Sequence, residues 1–163
     1  MAIQGVEQPT NIQIDDSLRL RRYDGTADFA LPWYQDEALV YLVDGVKKTY
    51  DRETLYGMYG YLDQHGELYF IEALENGAWM PIGDVTLSQN DIPIVIGEAA
   101  YRARGIGRQV ILSLMDRGRE LGFDRLGVRE IYDFNTASIR CFTACGFVPV
   151  EKKEQGWRYE AKL

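Results

Sequence analysis

Two glycines and three arginines lie in one short segment, residues 102–108, in which an anion could bind. Gly105 and Gly107 lie where an apolar, strand-like run meets a periodic helical pattern that begins near Ile106. Glycines there leave the first amide N–H groups of the helix unblocked, and the positive end of the helix dipole favours an anion. The arginines beside them are Arg102, Arg104 and Arg108. We predict a phosphate-bearing ligand, against the alternative of a tight loop with solvated arginines.

Charge is unevenly distributed along the 163 residues, whose net charge is -7. Residues 24–100 carry fourteen acidic and three basic side chains, whereas residues 101–163 carry twelve basic and eight acidic ones. An anion near the glycines and a cation across from them would match this division, and nucleic acid would not match the acidic part. Neither a bilayer-spanning apolar run of ~20 residues nor a signal-peptide pattern is present, so we expect a cytoplasmic protein with no membrane partner.

Cysteine and histidine are scarce in this sequence. Cys141 and Cys145 fall on one face of a predicted helix, and we interpret them as two reduced core thiols. The single histidine, His65, lies in a polar turn sequence without ligand residues beside it. We therefore expect no metal site.

Periodicity and turn residues predict an α+β fold in one domain, residues 1–163, with residues 1–16 as a loose extension or strand. A half-exposed strand is predicted over 18–23, then helices over 28–44, stopped by Gly45, and from the N-cap Asp51 to 62. A meander follows at 68–74, 79–87 and 92–100, with a hairpin turn at Asn76-Gly77. The remaining elements are a helix over 107–121, a strand over 126–128, a helix over 135–145, and strands over 147–150 and 157–163.

A second motif follows the glycine segment, because Asn135 opens a helix that Gly146-Phe147 closes. With Arg102, Gly105 and Gly107 matching Gln/Arg-x-x-Gly-x-Gly/Ala, the chain resembles the GNAT-superfamily N-acetyltransferases over residues 82–150. A looser similarity, at residues 31–45, is to aminoglycoside 6'-N-acetyltransferases and ribosomal-protein N-terminal acetyltransferases. The resemblance implies a three-layer fold, with a mixed, mostly antiparallel sheet and helices on both faces.

The resemblance also implies which residues hold acetyl-CoA as cosubstrate. In the family, amides of the glycine turn hold the CoA pyrophosphate, and the strand before it holds the pantetheine arm and the acetyl carbonyl. These positions and those of the second motif are Glu98, Ala99, Ala100, Arg102, Arg104, Gly105, Ile106, Gly107, Arg108, Asn135, Ser138 and Phe142. As a bare helix N-cap, however, Asn135 would be explained without any ligand. Many members have, at the position of Phe142, a tyrosine that protonates the departing thiolate, so here water, Tyr132 or Cys141 would supply that proton.

We expect a primary amine, on a small cationic molecule or a peptide, to attack the acetyl thioester directly. A carboxylate is needed to hold this amine and accept its proton; Glu98 is the first candidate and Asp84, on the adjacent predicted strand, the second. The predicted substrate wall consists of Trp33, Tyr34, Asp36, Tyr41, Tyr56 and Tyr59. The aromatic residues, Trp33 above all, could instead fill the core, and the tyrosines and Asp36 could be plain surface.

Two other functions stay open on the sequence alone. One is a non-catalytic acyl-CoA binding or sensing module, for which Phe142 is the strongest argument. The other is a phosphate-ligand protein outside this family. Exposed aromatic residues could also form the face of a homodimer.

Overall fold

The computed structural model describes residues 3 and 5–163 of the chain. Its strands are β1 (Asn11–Asp15), β2 (Leu18–Arg22), β3 (Glu67–Glu75), β4 (Ala78–Leu87), β5 (Ile94–Ile96), β6 (Arg125–Tyr132), β7 (Val148–Lys152) and β8 (Gly156–Lys162). Its α-helices are α1 (Leu31–Tyr34), α2 (Glu37–Asp44), α3 (Arg52–His65), α4 (Ile106–Glu120) and α5 (Thr136–Ala144). Single 3₁₀ turns cover Asp28–Ala30 and Ala99–Tyr101.

The strands form two antiparallel sheets. Five strands pair in the order β1-β2-β3-β4-β5, and three pair in the order β6-β8-β7. Side chains alternate across β3, so that Leu68 and Phe70 pack with α1, α2 and α3, whereas Tyr69 and Ile71 pack with α4 and α5. The predicted α+β class, with helices on both faces, is confirmed. The strands expected in one mixed sheet form two antiparallel sheets instead, and the break falls between β5 and β6.

Local signals fix several elements where the sequence predicts them. Asn76 and Gly77 both have positive φ angles, 52° and 79°, as the tight hairpin between β3 and β4 requires. Asp51 caps α3 by accepting the Thr54 N–H, and Gly45 ends α2 in the left-handed region. β1 covers residues 11–15 of the predicted loose segment; Met1, Ala2 and Gln4 lie outside the described residues.

Two predicted elements are shorter in the structure. The helix expected over residues 28–44 is broken, because the Asp36 carboxylate accepts the N–H groups of Ala38 and Leu39 and starts a new helix. The strand expected to continue to Ala100 ends at Ile96. The N–H groups of Gly97 and Glu98 both donate to the Ile82 carbonyl, at 2.8 and 3.1 Å, which makes a bulge, and a 3₁₀ turn follows.

A buried ion pair holds α4 against the first sheet. The Arg117 guanidinium donates to both carboxylate oxygens of Glu67, at 3.0 and 2.8 Å, and the Glu67 side chain is only 2% exposed. Such a two-pronged contact fixes orientation as well as distance. The C-terminal end of α4 is thereby held in place relative to β3. In the described part of the chain, no helix is both long and apolar enough to cross a membrane.

Candidate active site

A gap separates β5 from β6. The loop between β4 and β5 contacts β6, where Gly127 N–H donates to Gln89 O at 2.8 Å, but β5 and β6 share no ladder in the part of the chain that is described. Pro93, Val95 and Gly97 face β4, as the Thr86 to Pro93 and Gly97 to Ile82 bonds show. By alternation, the backbone groups of Ile94 and Ile96 point into the gap. An extended ligand could pair with this free edge.

The glycine turn lies at the start of α4, the helix that follows β5. Gly105 is the N-cap in the left-handed region, with φ 77°, and its position supplies no side-chain cap to the helix. The first amide N–H groups of α4 therefore have no acceptor within the helix. Gly107, inside α4, lets that helix pack closely on α5, because a Cβ there would lie 3.0 Å from Cys141 Sγ. The turn has the geometry of an anion site.

The three arginines of the turn have different roles. Arg102 bends back onto the end of β5, where its guanidinium donates to Ile96 O at 2.8 Å and Gly97 O at 3.1 Å. Arg104 packs on the Tyr101 ring at 4.9 Å and donates to Ala100 O at 3.4 Å. Arg108 is exposed, and within residues 5–163 its side chain makes no hydrogen bond or ion pair. Its guanidinium is thus the one of the three that is free to pair with an anion.

The two candidate carboxylates receive hydrogen bonds from adjacent residues of α1. The Trp33 indole N–H donates to Glu98 Oε2, and the Tyr34 hydroxyl donates to Asp84 Oδ2 at 2.7 Å. Glu98 is exposed, whereas Asp84 is 2% exposed and also accepts the Tyr59 hydroxyl at 2.7 Å. One short helix therefore holds both carboxylates, one facing solvent and one inside the core.

Burial sets the protonation of the Asp84 cluster. It raises the pKa of the Asp84 carboxyl from 3.8 to about 6, and the two tyrosine hydroxyls offset part of that rise by donating to it. Burial likewise raises the pKa of Tyr34 and Tyr59 well above 10, so both hydroxyls stay protonated and remain donors. At neutral pH the cluster holds an ionised carboxylate in an aromatic core.

The predicted substrate wall divides into core, structural and exposed residues. Trp33, Tyr34 and Tyr59 are 4, 1 and 0% exposed and form the layer over the carboxylates. The Tyr56 hydroxyl bridges Ala27 N and Asp28 Oδ1, and Asp36 caps α2. Tyr41 alone among the aromatic residues of this set is exposed, at 36%. The structure therefore buries three of the six predicted wall residues.

Sequence reasoning missed an aromatic contact between α2 and the loop before α5. Phe134 stacks between Tyr41, at 4.5 Å, and Tyr132, at 5.2 Å. Asn135 adds a bond from its amide to Leu42 O at 3.4 Å. The alternating aromatic residues at 132 and 134 were the available signal. This contact ties the α1–α2 segment to the far side of the gap.

The residues predicted on α5 have mainly structural partners. Asn135 caps the helix by accepting the Ser138 N–H at 3.3 Å. Phe142 is 2% exposed and meets Phe147 edge to face at 5.1 Å. Burial raises the pKa of the nearby Cys141 thiol to about 11, so this cysteine is protonated at neutral pH. Within the described residues, no group of three or more His, Cys, Asp or Glu side chains could hold a metal ion.

Comparison with known proteins identifies relatives of this fold. The model of the acetyltransferase (GNAT) family matches residues 27–147. No curated protein sequence matches the chain. A domain from Methanocaldococcus jannaschii DSM 2661 is 23% identical, with a TM-score of 0.78 over 91% of this chain and all of that one.

Two further solved structures contain coenzyme A. The aminoglycoside acetyltransferase AAC(6')-Ib in complex with ribostamycin and coenzyme A has a TM-score of 0.69 at 16% identity, over 90% of this chain and 94% of that one. The ribosomal L7/L12 alpha-N-protein acetyltransferase RimL in complex with coenzyme A has a TM-score of 0.71 at 15% identity, over 94% and 98%. At these identities the likeness shows a shared fold.

Proposed function

We infer that this chain, which belongs to the GNAT acetyltransferase family and is an N-acetyltransferase, acetylates a cationic primary amine by direct attack on acetyl-CoA. One observation carries the proposal. The uncapped start of α4 adjoins the free edge of β5, and Glu98 stands just beyond the end of that same strand. A strand edge, a carboxylate and a phosphate site thus lie within residues 94–108, and together they offer the groups that an acyl-CoA and an amine would need.

The donor side fits acetyl-CoA by its chemistry. The amides at the start of α4, with Arg108 beside them, would hold the pyrophosphate. The backbone groups of Ile94 and the N–H of Ile96 would pair with the amide-rich pantetheine arm, because Arg102 already bonds the Ile96 carbonyl. Ala99 and Ala100, which were expected to do this, lie in a 3₁₀ turn. Arg102 would act indirectly, because its side chain secures the end of β5. The solved relatives that hold coenzyme A support this reading.

The acceptor side fits a cation. Residues 24–100, which carry the excess of acidic side chains, supply α1, α2, α3 and most of the first sheet. Glu98 is exposed at this face, so an ammonium group could reach it. The AAC(6')-Ib and RimL relatives act on an aminoglycoside and a protein amine, and both kinds of amine fit the charge of this face. We favour the small polycation, because a ligand of higher positive charge is attracted more strongly by the acidic side chains of residues 24–100.

Glu98 is the residue of this chain that would move a proton in the reaction. Acetyl-CoA supplies the acetyl group as a thioester. Glu98 holds the incoming ammonium and takes one proton, so that the neutral nitrogen can form the C–N bond as the C–S bond breaks. The new amide nitrogen releases its second proton to water. Glu98 then returns that proton to solvent, to which it is exposed. The leaving thiolate takes its proton from water, since Phe142 has none to give and a thiolate with a thiol pKa near ~8.5 is a fair leaving group.

An amine panel tests this function. The protein is incubated with acetyl-CoA and aminoglycosides, polyamines or peptides, and release of free CoA thiol is followed. We expect turnover with at least one polycationic amine and a loss of about 10²-fold in kcat for Glu98→Gln. Tight CoA binding without turnover on any amine would favour the non-catalytic module instead. Nucleotides that compete with CoA equally well would favour a general phosphate-ligand protein.

A further inference from the structure

We propose that Trp33 is a positioning residue for acetyl transfer, and that its indole N–H holds the Glu98 carboxylate in the direction of the acceptor amine. This inference rests on the proposed function of Glu98. It goes further by assigning a role to a core residue that need not touch either substrate. The starting observation is the hydrogen bond from Trp33 Nε1 to Glu98 Oε2, across 65 residues of sequence.

Trp33 is a rigid donor. Its side chain is 4% exposed, lies in the core cluster under α1 and meets Phe29 edge to face at 5.8 Å. Glu98, by contrast, is exposed and would sample several rotamers if it had no partner. A buried donor that bonds one carboxylate oxygen selects one orientation and leaves the other oxygen available. That is what a group that receives an amine needs.

The backbone that carries Glu98 is fixed from three directions. The N–H groups of Gly97 and Glu98 bond to Ile82 O on β4, and Arg102 bonds the carbonyls of Ile96 and Gly97. The Trp33 ring fills the third side, since a Cβ on Gly97 would overlap the ring. Because the main chain is already held, the remaining freedom of Glu98 is in its side chain, which the indole N–H restrains.

The contact is tested first without substrate. The protein has three tryptophans, Trp33, Trp79 and Trp157, and therefore three indole N–H signals in a ¹H–¹⁵N spectrum. Loss of one signal in Trp33→Phe assigns it. We expect Glu98→Ala to shift the Trp33 signal upfield and to leave the other two in place. An unmoved Trp33 signal would overturn the proposal, because the indole would then not be bonded to the carboxylate.

The consequence for catalysis is tested with a double-mutant cycle on an amine that the wild type acetylates. We expect Trp33→Phe, which keeps an aromatic ring but removes the donor, to lower kcat about 10- to 100-fold. The KM for acetyl-CoA should change less than about twofold, since the donor side is untouched. In the Glu98→Ala background the same substitution should cost less than about twofold, because the two residues act as a unit.

A matched control and two contrary results distinguish a failure of the Trp33 proposal from a failure of the proposed function. Trp79→Phe, at a half-buried tryptophan of β4 that packs under Arg19, should leave kcat within about twofold of wild type. If Trp33→Phe costs as much in the Glu98→Ala background as in the wild type, Trp33 is a core residue only and this proposal is wrong while the proposed function stands. If Glu98→Ala itself leaves kcat unchanged, the role of Glu98 in the proposed function is wrong, and the role of Trp33 falls with it.

Discussion

Asp84→Asn should change the pH dependence of stability: relative to the wild type, the variant should be more stable at neutral pH than it is at acidic pH. Burial raises the pKa of this carboxyl from 3.8 to about 6 in the folded protein. Between those values the folded state binds more protons than the unfolded state, so the free energy of unfolding falls as pH rises. The contribution of the protonated carboxyl is fully present below the unfolded pKa and is lost as pH passes through about 6. Asparagine, which does not titrate, removes this dependence.

The two pKa values set the size of the effect. Their difference corresponds to about 3 kcal/mol, of which about 2.5 kcal/mol develops between pH 4 and pH 7. An asparagine NH₂ group also needs a partner in this core, at a cost of about 1–3 kcal/mol. That cost does not depend on pH. The quantity to measure is therefore the stability of the variant minus that of the wild type, compared between the two pH values.

Urea unfolding at pH 4, 5, 6, 7 and 8 gives this quantity. The difference between Asp84→Asn and wild type should become more favourable to the variant by about 2.5 kcal/mol from pH 4 to pH 7. Asp116→Asn is the control, because that side chain is 76% exposed and pairs only with Arg119 on its own helix. Parallel curves of stability against pH for Asp84→Asn and wild type would refute the reasoning, since the pKa of Asp84 would then be the same in the folded and unfolded states.

The other predictions concern the donor side. Arg108→Ala should raise the KM for acetyl-CoA about tenfold, with less effect at high salt, because the residue would supply a charge-assisted bond to phosphate; an unchanged KM at low salt would contradict this role. Arg102→Ala should instead lower the free energy of unfolding by about 1–2 kcal/mol, measured in urea, since its partners are two backbone carbonyls. Phe142→Tyr should destabilise by about 1–3 kcal/mol without raising kcat, because the new hydroxyl would be buried beside Phe147; a faster enzyme of undiminished stability would speak against this placement.

Local sequence signals predicted those parts of the fold whose causes are local. The Asn76-Gly77 turn, the Asp51 and Asn135 caps and the amphipathic α4 all depend on residues within a few positions of one another. The end of β5 could not be predicted in this way. It depends on Ile82, fifteen and sixteen residues earlier, which accepts both N–H groups of the bulge.

The candidate site shows the same limit. Sequence position identified Glu98 and Asp84 as carboxylates near the glycine turn, but their partners, Trp33 and Tyr34, are 65 and 50 residues away. The sequence of an aromatic and acidic stretch is the same whether its side chains line a cleft or fill a core, because hydrophobicity alone does not show which side chains other elements bury. Only the packing of α1 against β4 and β5 separates the two.

The different burial of the two carboxylates favours our proposal that Glu98, and not Asp84, receives the amine. A base must return one proton to solvent in every turnover, and Glu98 is exposed whereas Asp84 is 2% exposed beneath two tyrosines. The bonds from Tyr34 and Tyr59 lower the pKa of Asp84 against the rise that burial causes, and an ammonium group could reach Asp84 only by displacing them. The buried carboxylate therefore anchors α1 and α3 to β4, and α1 in turn presents Trp33 to Glu98. Both Tyr34→Phe and Trp33→Phe should reduce stability, the first through its lost bond to Asp84 and the second through its smaller buried ring. If this is correct, Trp33→Phe should lower kcat more than Tyr34→Phe does; a smaller loss of kcat in Trp33→Phe would contradict the division.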